Sequence, residues 1–403
     1  MSLNNTPSAN RLHIGFFGLR NSGKSSLVNA VTGQDLAIVS DIKGTTTDPV
    51  YKAMEILPLG PVVIIDTPGI DDEGTLGELR VRRAKQVLNK TDIAVLVLDS
   101  PPSVEGASST NGTLCAAEEE LVAIFKAKHI PYIIVQNKSD LIDAPSTSGE
   151  ILPVSAKTGH NINALKEKIG ELAPDEPEHH LVADLLNPLD FVVLVVPIDK
   201  AAPKGRLILP QQQMIRDILE AGAVAIVAKD SELKETLAAL EKKPALVITD
   251  SQVFAQAAAA VPQEIPLTSF SILFARYKGF LETAICDVKT LDAVQDGDKI
   301  LICEGCTHHR QCDDIGTVKL PRWIKEYTGK EPDFSYYSGG SFPDDLSVYK
   351  MIIHCGGCML NEREMLYRQA CAVDQKIPFT NYGIAFAHIQ GILERSIEPV
   401  VNW

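Results

Sequence analysis

Short apolar runs alternate with stretches of helical periodicity along this chain. In the first part, the runs predict strands at Ile14 to Gly18, Val62 to Asp66, Ile93 to Asp99 and Tyr132 to Asn137. The stretches between them predict helices at Lys24 to Thr32, Gly77 to Leu88, Ala116 to Lys128 and Ile162 to Leu172. This alternation predicts a mostly parallel sheet with helices on both faces.

Two further α/β series follow. The segment Ala173 to Glu178, rich in proline and acid, predicts the first domain boundary. Beyond it, we expect strands at Phe191 to Pro197, Val224 to Ala228 and Ala245 to Thr249, with helices at Gln211 to Ala221, Glu232 to Lys242 and Gln252 to Ala260. From Pro266 onward, we expect strands at Lys299 to Cys303 and Tyr349 to His354, with helices at Phe270 to Leu281 and Glu362 to Gln375.

The resulting prediction is an α/β protein of three domains. A phosphate-loop domain spans residues 1–173, a middle α/β domain residues 174–265, and a third α/β domain residues 266–403. The middle domain carries no phosphate loop and few polar groups suited to catalysis, which favours packing or self-association. A homodimer formed through it is therefore expected.

Composition limits the partners and the compartment. Hydrophobic residues make up 45% of the 403 residues and charged residues 22%, as in ordinary globular proteins. No apolar run approaches the roughly 20 residues that span a bilayer, and the polar segment Met1 to Asn10 has no signal-peptide core. The formal net charge of -14 argues against nucleic acid as a partner. We expect a cytoplasmic protein with neither a nucleic-acid nor a membrane partner.

The segment Gly18 to Ser25 fits the phosphate-loop pattern G-x-x-x-x-G-K-S between a strand and a helix. Its glycines let the backbone amides face a polyphosphate, and its lysine offers a positive charge to the terminal phosphates. The serine after the lysine can bind magnesium, and the helix N-terminus favours an anion. The predicted phosphate-binding residues are Gly18, Asn21, Ser22, Gly23, Lys24, Ser25 and Ser26.

Two downstream segments complete a predicted phosphate and magnesium site. Asp66 ends a strand in Asp-Thr-Pro-Gly, so its carboxylate can hold magnesium through water while the Gly69 amide faces the γ-phosphate. The loop Gly44 to Asp48 is a candidate switch, and Thr46 is expected to reach magnesium when the γ-phosphate is present. Lys24, Thr46 and Gly69 are the predicted catalytic residues.

The segment Asn137-Lys138-Ser139-Asp140 predicts the base. The Asp140 carboxylate can accept hydrogen bonds from both the ring N–H and the exocyclic amine of guanine, which adenine does not offer. Ser155 and Ala156 lie where a backbone amide could meet the guanine carbonyl. The predicted nucleotide is therefore GTP, bound with magnesium.

Together these motifs make residues 11–172 resemble the TrmE-Era-Septin class of GTPases. Ile70 stands where Ras-like enzymes carry a water-orienting glutamine, so the resemblance implies slow hydrolysis. Asn21 resembles the asparagine that helps to hold a potassium ion beside the phosphates in potassium-activated members. A potassium-activated GTPase is the expectation; the alternative role of Asn21 is to stabilise the loop.

Cysteines form a second candidate site. Six of the eight lie in the last quarter, in segments that include Cys306-Thr307-His308 and His354-Cys355-Gly356-Gly357-Cys358. In a reducing compartment such crowding indicates metal or redox chemistry. An iron-sulfur cluster held by three cysteines and one variable ligand fits these segments best. A zinc site that adds Cys303, and a redox dithiol at Cys355 and Cys358, stay open.

The order of these features resembles the HydF family, the GTPases of the FeFe-hydrogenase maturation system, over nearly the whole chain. The resemblance implies a 4Fe-4S cluster on Cys306, Cys355 and Cys358. It implies a scaffold that assembles or carries a binuclear iron precursor, with radical-SAM hydrogenase maturases and the apo FeFe-hydrogenase as partners. The residues offered for the remaining cluster position, directly or through hydrogen bonds, are His308, His354, Cys312, Asp313 and Asp314.

Two other functions stay open at this point. One is a GTPase of the TrmE or Era type that acts in RNA modification or ribosome assembly, against which the acidic charge counts. The other is a regulator stabilised by zinc that uses GTP as a switch.

Overall fold

The computed structural model describes most of the chain, and its Cα positions divide into two compact units, Met1–Pro177 and Glu178–Trp403. The described residues are 8–33, 49–57, 59–69, 86–99, 114–141, 151–173, 180–198, 207–306, 314–340 and 342–401. Several predicted features lie outside these residues: Thr46 with its loop, Ile70, most of the helix Gly77 to Leu88, the boundary segment after Ala173, His308, Cys312 and Asp313.

The first unit contains a six-stranded sheet in the order β2-β3-β1-β4-β5-β6. Strand β2 runs antiparallel to β3, and every other neighbouring pair is parallel. The strands are β1 (Leu12–Phe17), β2 (Val50–Ile56), β3 (Gly60–Asp66), β4 (Ile93–Leu98), β5 (Tyr132–Gln136) and β6 (Ile151–Pro153). The helices among the described residues include α1 (Lys24–Thr32), α2 (Ala116–Ala127) and α3 (Ile162–Glu171).

Both faces of this sheet are covered, which explains its continuous apolar runs. Strand β4 is buried along its whole length. On one face, Phe16 packs in a core with α1 and α3, and on the other, Phe17 packs with Phe125 of α2. The sequence order reverses beside β1, so the loop after β1 lies where open α/β sheets place their ligands.

The second unit begins with a parallel four-stranded sheet in the order β10-β9-β7-β8. Its strands are β7 (Phe191–Val195), β8 (Val224–Ala228), β9 (Leu246–Thr249) and β10 (Leu267–Ser269). Its helices are α4 (Leu209–Glu220), α5 (Leu233–Ala239) and α6 (Phe254–Ala260). Strand β7 is central and nearly all buried, whereas β8 lies at the edge with both Val224 and Val227 exposed.

A second parallel sheet of this unit has the order β12-β11-β13-β14. Its strands are β11 (Lys299–Glu304), β12 (Asp333–Ser338), β13 (Met351–His354) and β14 (Phe379–Asn381). The helices that follow β10 are α7 (Phe270–Tyr277), α8 (Leu281–Asp287), α9 (Leu320–Thr328), α10 (Glu362–Asp374), α11 (Tyr382–Ile389) and α12 (Leu393–Val401). One continuous core joins both sheets of the unit. The loops after β11 and β13 lie side by side, at the point where this sheet reverses its order.

The predicted α/β class and the phosphate-loop domain with a mostly parallel sheet are confirmed. The helix predicted over Phe270 to Leu281 is instead two helices, because Gly279 adopts a left-handed φ of 76° just after α7. Strands β2, β6, β10, β12 and β14 were not predicted, and neither were helices α9, α11 and α12. None of the helices among the described residues is both long and apolar enough to cross a membrane.

Candidate functional site

The phosphate loop connects β1 to α1 and has glycines at two positions, Gly18 and Gly23, where a Cβ would clash. Gly23 has a φ of +85°, and a Cβ placed on it would lie 2.2 Å from Asn137 Nδ2. The Asn137 amide donates to the Ser22 carbonyl at 3.0 Å. The base-recognition segment is therefore held directly against the phosphate loop.

Lys24 keeps its charge inside the loop. Its side chain is buried, and Nζ donates to the Leu19 carbonyl at 2.7 Å and to the Gly18 carbonyl at 3.1 Å. Carbonyl oxygens are weaker partners for an ammonium than phosphate oxygens are. The loop thus holds a cation ready for a polyphosphate.

Ser25 and Asp66 meet beneath the loop, as the magnesium prediction requires. Ser25 Oγ donates to Asp66 Oδ2 at 2.5 Å. Burial raises the pKa of Asp66, although the Ser25 hydrogen bond and the Lys24 charge act in the opposite direction. The second carboxylate oxygen, Oδ1, is buried with no hydrogen-bond partner among the described residues. A buried acid with an unsatisfied oxygen beside a serine hydroxyl fits a hard divalent cation.

The segment after β3 lies directly on the phosphate loop. Thr67 Oγ1 donates to the Phe16 carbonyl at 2.6 Å and so fixes the start of this segment on β1. A Cβ on Gly69 would lie 2.9 Å from both N and Cα of Arg20. Only a glycine allows this close approach, which brings Gly69 beside the phosphate-binding residues.

The predicted guanine-binding residues come together at the ends of β5 and β6. The Ala156 amide donates to Asn137 Oδ1 at 3.2 Å, and Ser155 Oγ donates to Asp140 Oδ1 at 2.6 Å. The Ser155 hydrogen bond is the main cause that lowers the pKa of Asp140, which stays an ionised acceptor at neutral pH. Lys138 Nζ donates to the Asn21 carbonyl at 2.9 Å and links this segment to the phosphate loop.

The three predicted cluster ligands lie in the loops after two strands: Cys306 follows β11, and Cys355 and Cys358 follow β13. These strands are neighbours, with Cys303 opposite His354 in the register. The Cys355 sulfur accepts hydrogen bonds from the Gly305 amide at 3.1 Å and from the Gly357 amide at 3.4 Å. Amides that point at a sulfur stabilise its thiolate form.

Three thiols share one electrostatic environment. Burial, together with smaller contributions from the neighbouring sulfurs of Cys355 and Cys306, raises the pKa of Cys358 to about 12, while Lys278 acts in the opposite direction. Burial also raises the pKa of Cys355, against the two amide hydrogen bonds. Among the described residues, no group of three or more histidine, cysteine or acidic side chains is arranged to hold a metal ion.

His354 is fully buried, and both of its ring nitrogens have protein partners. Nδ1 lies 2.8 Å from the Cys355 carbonyl, and Nε2 lies 3.0 Å from Arg368 Nη1. Arginine can only donate, so we assign the proton to Nδ1. Burial and the Arg368 charge lower the pKa of His354 to about 3, so the ring is neutral. The role of His354 as an iron ligand stays a prediction.

Sequence reasoning missed several charged groups behind the cysteines. Glu304 and Lys278 are buried, and Tyr382 donates to Glu304 Oε1 at 3.3 Å. Arg368 is fully buried beside Glu364. The only sequence signal for this pair is its i, i+4 spacing, which is typical of exposed helix faces.

Cys303 is completely buried in β11, where burial raises the pKa of its thiol to about 12. It belongs to the core of the second unit. This position disfavours the zinc site that would use it as a fourth ligand.

Comparisons with known families divide the chain into three matched regions. Residues 13–138 match the family described as the 50S ribosome-binding GTPase. Residues 181–279 match the hydrogen maturase F dimerization domain, and residues 282–399 match the hydrogen maturase F tetramerization domain. The prediction of a GTPase domain is confirmed.

Curated relatives match the nucleotide domain. The tRNA modification GTPase MnmE of Dichelobacter nodosus is 37% identical over 163 residues, which are 40% of this chain and 35% of the relative. MnmE of Lactococcus lactis subsp. lactis is 33% identical over 165 residues, with 40% and 33% covered. The chain thus spans about a third of the length of these relatives.

Among solved structures, Aquifex aeolicus Era bound to GDP and aluminium fluoride is 22% identical, with a TM-score of 0.34. The match covers 54% of this chain and 92% of the Era chain.

In the three family matches, a GTPase domain is followed, in order, by both oligomerisation domains of hydrogen maturase F. The chain belongs to the HydF family of hydrogenase maturation GTPases.

Proposed function

We propose that this protein is a slow, guanine-specific GTPase that carries a 4Fe-4S cluster and serves as a scaffold in FeFe-hydrogenase maturation. In this role it assembles or carries the binuclear iron precursor and delivers it to the apo-hydrogenase. The observation that carries the proposal is the convergence of three thiols after β11 and β13, in a chain that also holds a complete phosphate loop.

The nucleotide site supports GTP binding with magnesium. Lys24 offers its ammonium to the terminal phosphates, and Ser25 and Asp66 supply the oxygens for magnesium. Bound magnesium would neutralise the charge that develops on the phosphates. Gly69 offers its amide to the γ-phosphate, and we propose that Thr46 completes the site. Ile70 has no polar side-chain atom that could orient the attacking water, which supports slow turnover of GTP.

We propose potassium activation through Asn21. This residue has a φ of 65° in the phosphate loop, a conformation that asparagine tolerates better than most residues. Its carbonyl is fixed by Lys138. The constrained backbone supports this role, because it limits the directions in which the Asn21 side chain can point.

The donor set of the cysteine site fits an iron-sulfur cluster. Buried thiols whose negative charges repel one another need a cationic partner to stay ionised. Thiolates of one cluster bind different iron atoms, so they need not converge on a single ion. Cys306, Cys355 and Cys358 would hold the cluster, which supplies redox-active iron. His354 supports the Cys355 loop, and His308, Cys312, Asp313 or Asp314 would lie near the remaining position.

Oligomerisation domains are part of the family match, and we propose that residues 174–265 form a homodimer through β8. This strand is the edge of its sheet, with Val224 36% and Val227 46% exposed and Leu219 of the preceding helix 58% exposed. An apolar edge strand pairs readily with a second copy. Val227→Lys should therefore give a monomer in sedimentation velocity where wild type is a dimer, and an unchanged mass would contradict the proposed edge.

We further propose three domains, which span residues 1–173, 174–265 and 266–403. We also propose a cytoplasmic location, because exchangeable thiolates need a reducing compartment.

The proposed partners are the radical-SAM maturases and the apo-hydrogenase. We propose that the nucleotide state alters the binding of these partners. Equal partner affinities with GTP and with GDP would refute this coupling.

Anaerobic reconstitution with iron and sulfide tests the cluster. Wild type should become brown, bind about four irons per chain and give a reducible cluster, as one 4Fe-4S cluster per chain requires. Cys355→Ser should lose this signal, whereas Cys286→Ser, at an exposed cysteine, should keep it. A colourless wild-type protein that retains one zinc would refute the proposal.

A further inference from the structure

Arg368 is a fully buried charge in α10, behind the cysteine loop. Nε and Nη2 donate to Glu364 Oε1 at 2.9 and 2.8 Å. Nη1 donates to His354 Nε2 at 3.0 Å, and Nη2 donates to the Gly339 carbonyl at 2.7 Å. One guanidinium thus joins α10 to the last residue of β13 and to the residue that follows β12.

Stability alone does not explain this buried pair. The side chains of Arg368 and Glu364 are 0% and 4% exposed. Removing two charges from water costs several kcal/mol per ion, and apolar replacements of similar volume are often neutral or stabilising. A pair kept in such a place therefore points to a positional or electrostatic role.

The contacts lead from this pair to the cysteines. Arg368 holds Nε2 of His354, and Nδ1 of the same ring donates to the carbonyl of Cys355. The ring also stacks on Phe379 with centroids 6.0 Å apart, and this contact limits its rotation. The Cys355 backbone is fixed in turn by donating its amide to the Cys303 carbonyl at 2.9 Å.

We propose that Arg368 and Glu364 form a buried positioning pair that orients His354 and the Cys355 loop and sets the reduction potential of the cluster. The proposal rests on the proposed function, because it requires a cluster on the three thiolates. The arginine charge favours an added electron and the glutamate charge opposes it. In the intact pair the two charges act in opposite directions, so the reduction potential depends on both of them.

This arrangement predicts shifts of opposite sign when each charge is removed alone. Glu364→Gln should raise the ratio of reduced to oxidised cluster at a fixed solution potential about tenfold, which is about 59 mV for a one-electron couple. Arg368→Gln should lower the ratio by about the same factor. Loss of packing alone would not produce opposite signs.

The measurement is a potentiometric titration of the reconstituted full-length protein, followed by EPR of the reduced cluster. Arg368→Lys keeps the charge and should stay within about threefold of wild type, even if Arg368→Gln fails to fold. The control is Arg216→Gln, which breaks an exposed i, i+4 pair in α4 and should leave the ratio unchanged.

Shifts of the same sign, or ratios within twofold of wild type for both Glu364→Gln and Arg368→Gln, would overturn the proposal. If Arg368→Gln fails to fold, a Glu364→Gln variant whose ratio of reduced to oxidised cluster equals that of wild type would also overturn the proposal. A wild-type protein that takes up no iron would instead refute the proposed function. The two failures are therefore distinguishable.

Discussion

Gly23→Ala tests the contact between the phosphate loop and the base-recognition segment. The added Cβ would lie 2.2 Å from Asn137 Nδ2, on a backbone with a φ of +85°. A left-handed non-glycine residue costs about 1–2 kcal/mol. Displacing Asn137 breaks its hydrogen bonds to Ser22 and Gly23, at about 1 kcal/mol each. The expected loss of unfolding free energy is therefore about 3–4 kcal/mol.

Gly33→Ala is the matched control. Gly33 ends α1 with a φ of +67°, and a Cβ on it would meet nothing within 4 Å. Its expected cost is the backbone strain alone, about 1–2 kcal/mol. Both variants put a side chain on a left-handed backbone at an end of α1, but only Gly23→Ala also clashes with Asn137.

Denaturant unfolding of the nucleotide domain, followed by its far-UV signal in the intact chain, measures the free energies. Binding of a fluorescent GTP analogue measures the site. Gly23→Ala should weaken binding at least about tenfold, since a 1.4 kcal/mol loss in the site has that effect, and Gly33→Ala should leave it near wild type. If Gly23→Ala loses no more stability or affinity than Gly33→Ala, the steric reasoning is wrong.

Three further predictions concern the same site. Asp140→Asn should weaken GTP binding about tenfold to a hundredfold, because it removes an anionic acceptor for guanine, and competition with ATP will show whether base preference is lost. Without magnesium, the domain should gain stability as pH falls through the raised pKa of Asp66 towards 3.8, because the folded state takes up a proton first. Asp66→Asn should remove that slope in unfolding curves measured across pH. Exchange of sodium for potassium should raise GTP turnover in wild type but not in Asn21→Ala; an equal response in both would exclude Asn21 from cation binding.

The nucleotide site was predictable because its binding residues lie in short contiguous motifs of the sequence. Gly18 to Ser25 and Asn137 to Asp140 each follow a largely apolar strand, so their place at the sheet edge follows from the alternation of elements. Strands β6, β10 and β14 were missed because each has only three residues, and β12 because serines interrupt its half-buried aromatic residues.

The charges behind the cysteines could not be predicted for a different reason. Burial is a property of the assembled unit, and Arg368 lies in a helix whose polar residues suggest an exposed face. The local sequence gives no sign that Gly339 and His354 will meet its guanidinium. Only the packing of α10 against the ends of β12 and β13 turns an ordinary i, i+4 pair into a buried one.

The parallel pairing of β11 and β13 has a consequence for the order of folding. Cys306 and Cys355 lie nearly fifty positions apart in sequence and become neighbours only when these two strands pair. Contacts of such long sequence separation form late, because chain closure opposes them. Cluster uptake would therefore report that the third sheet is complete, and a chain that has not finished folding would hold no iron for a partner to receive.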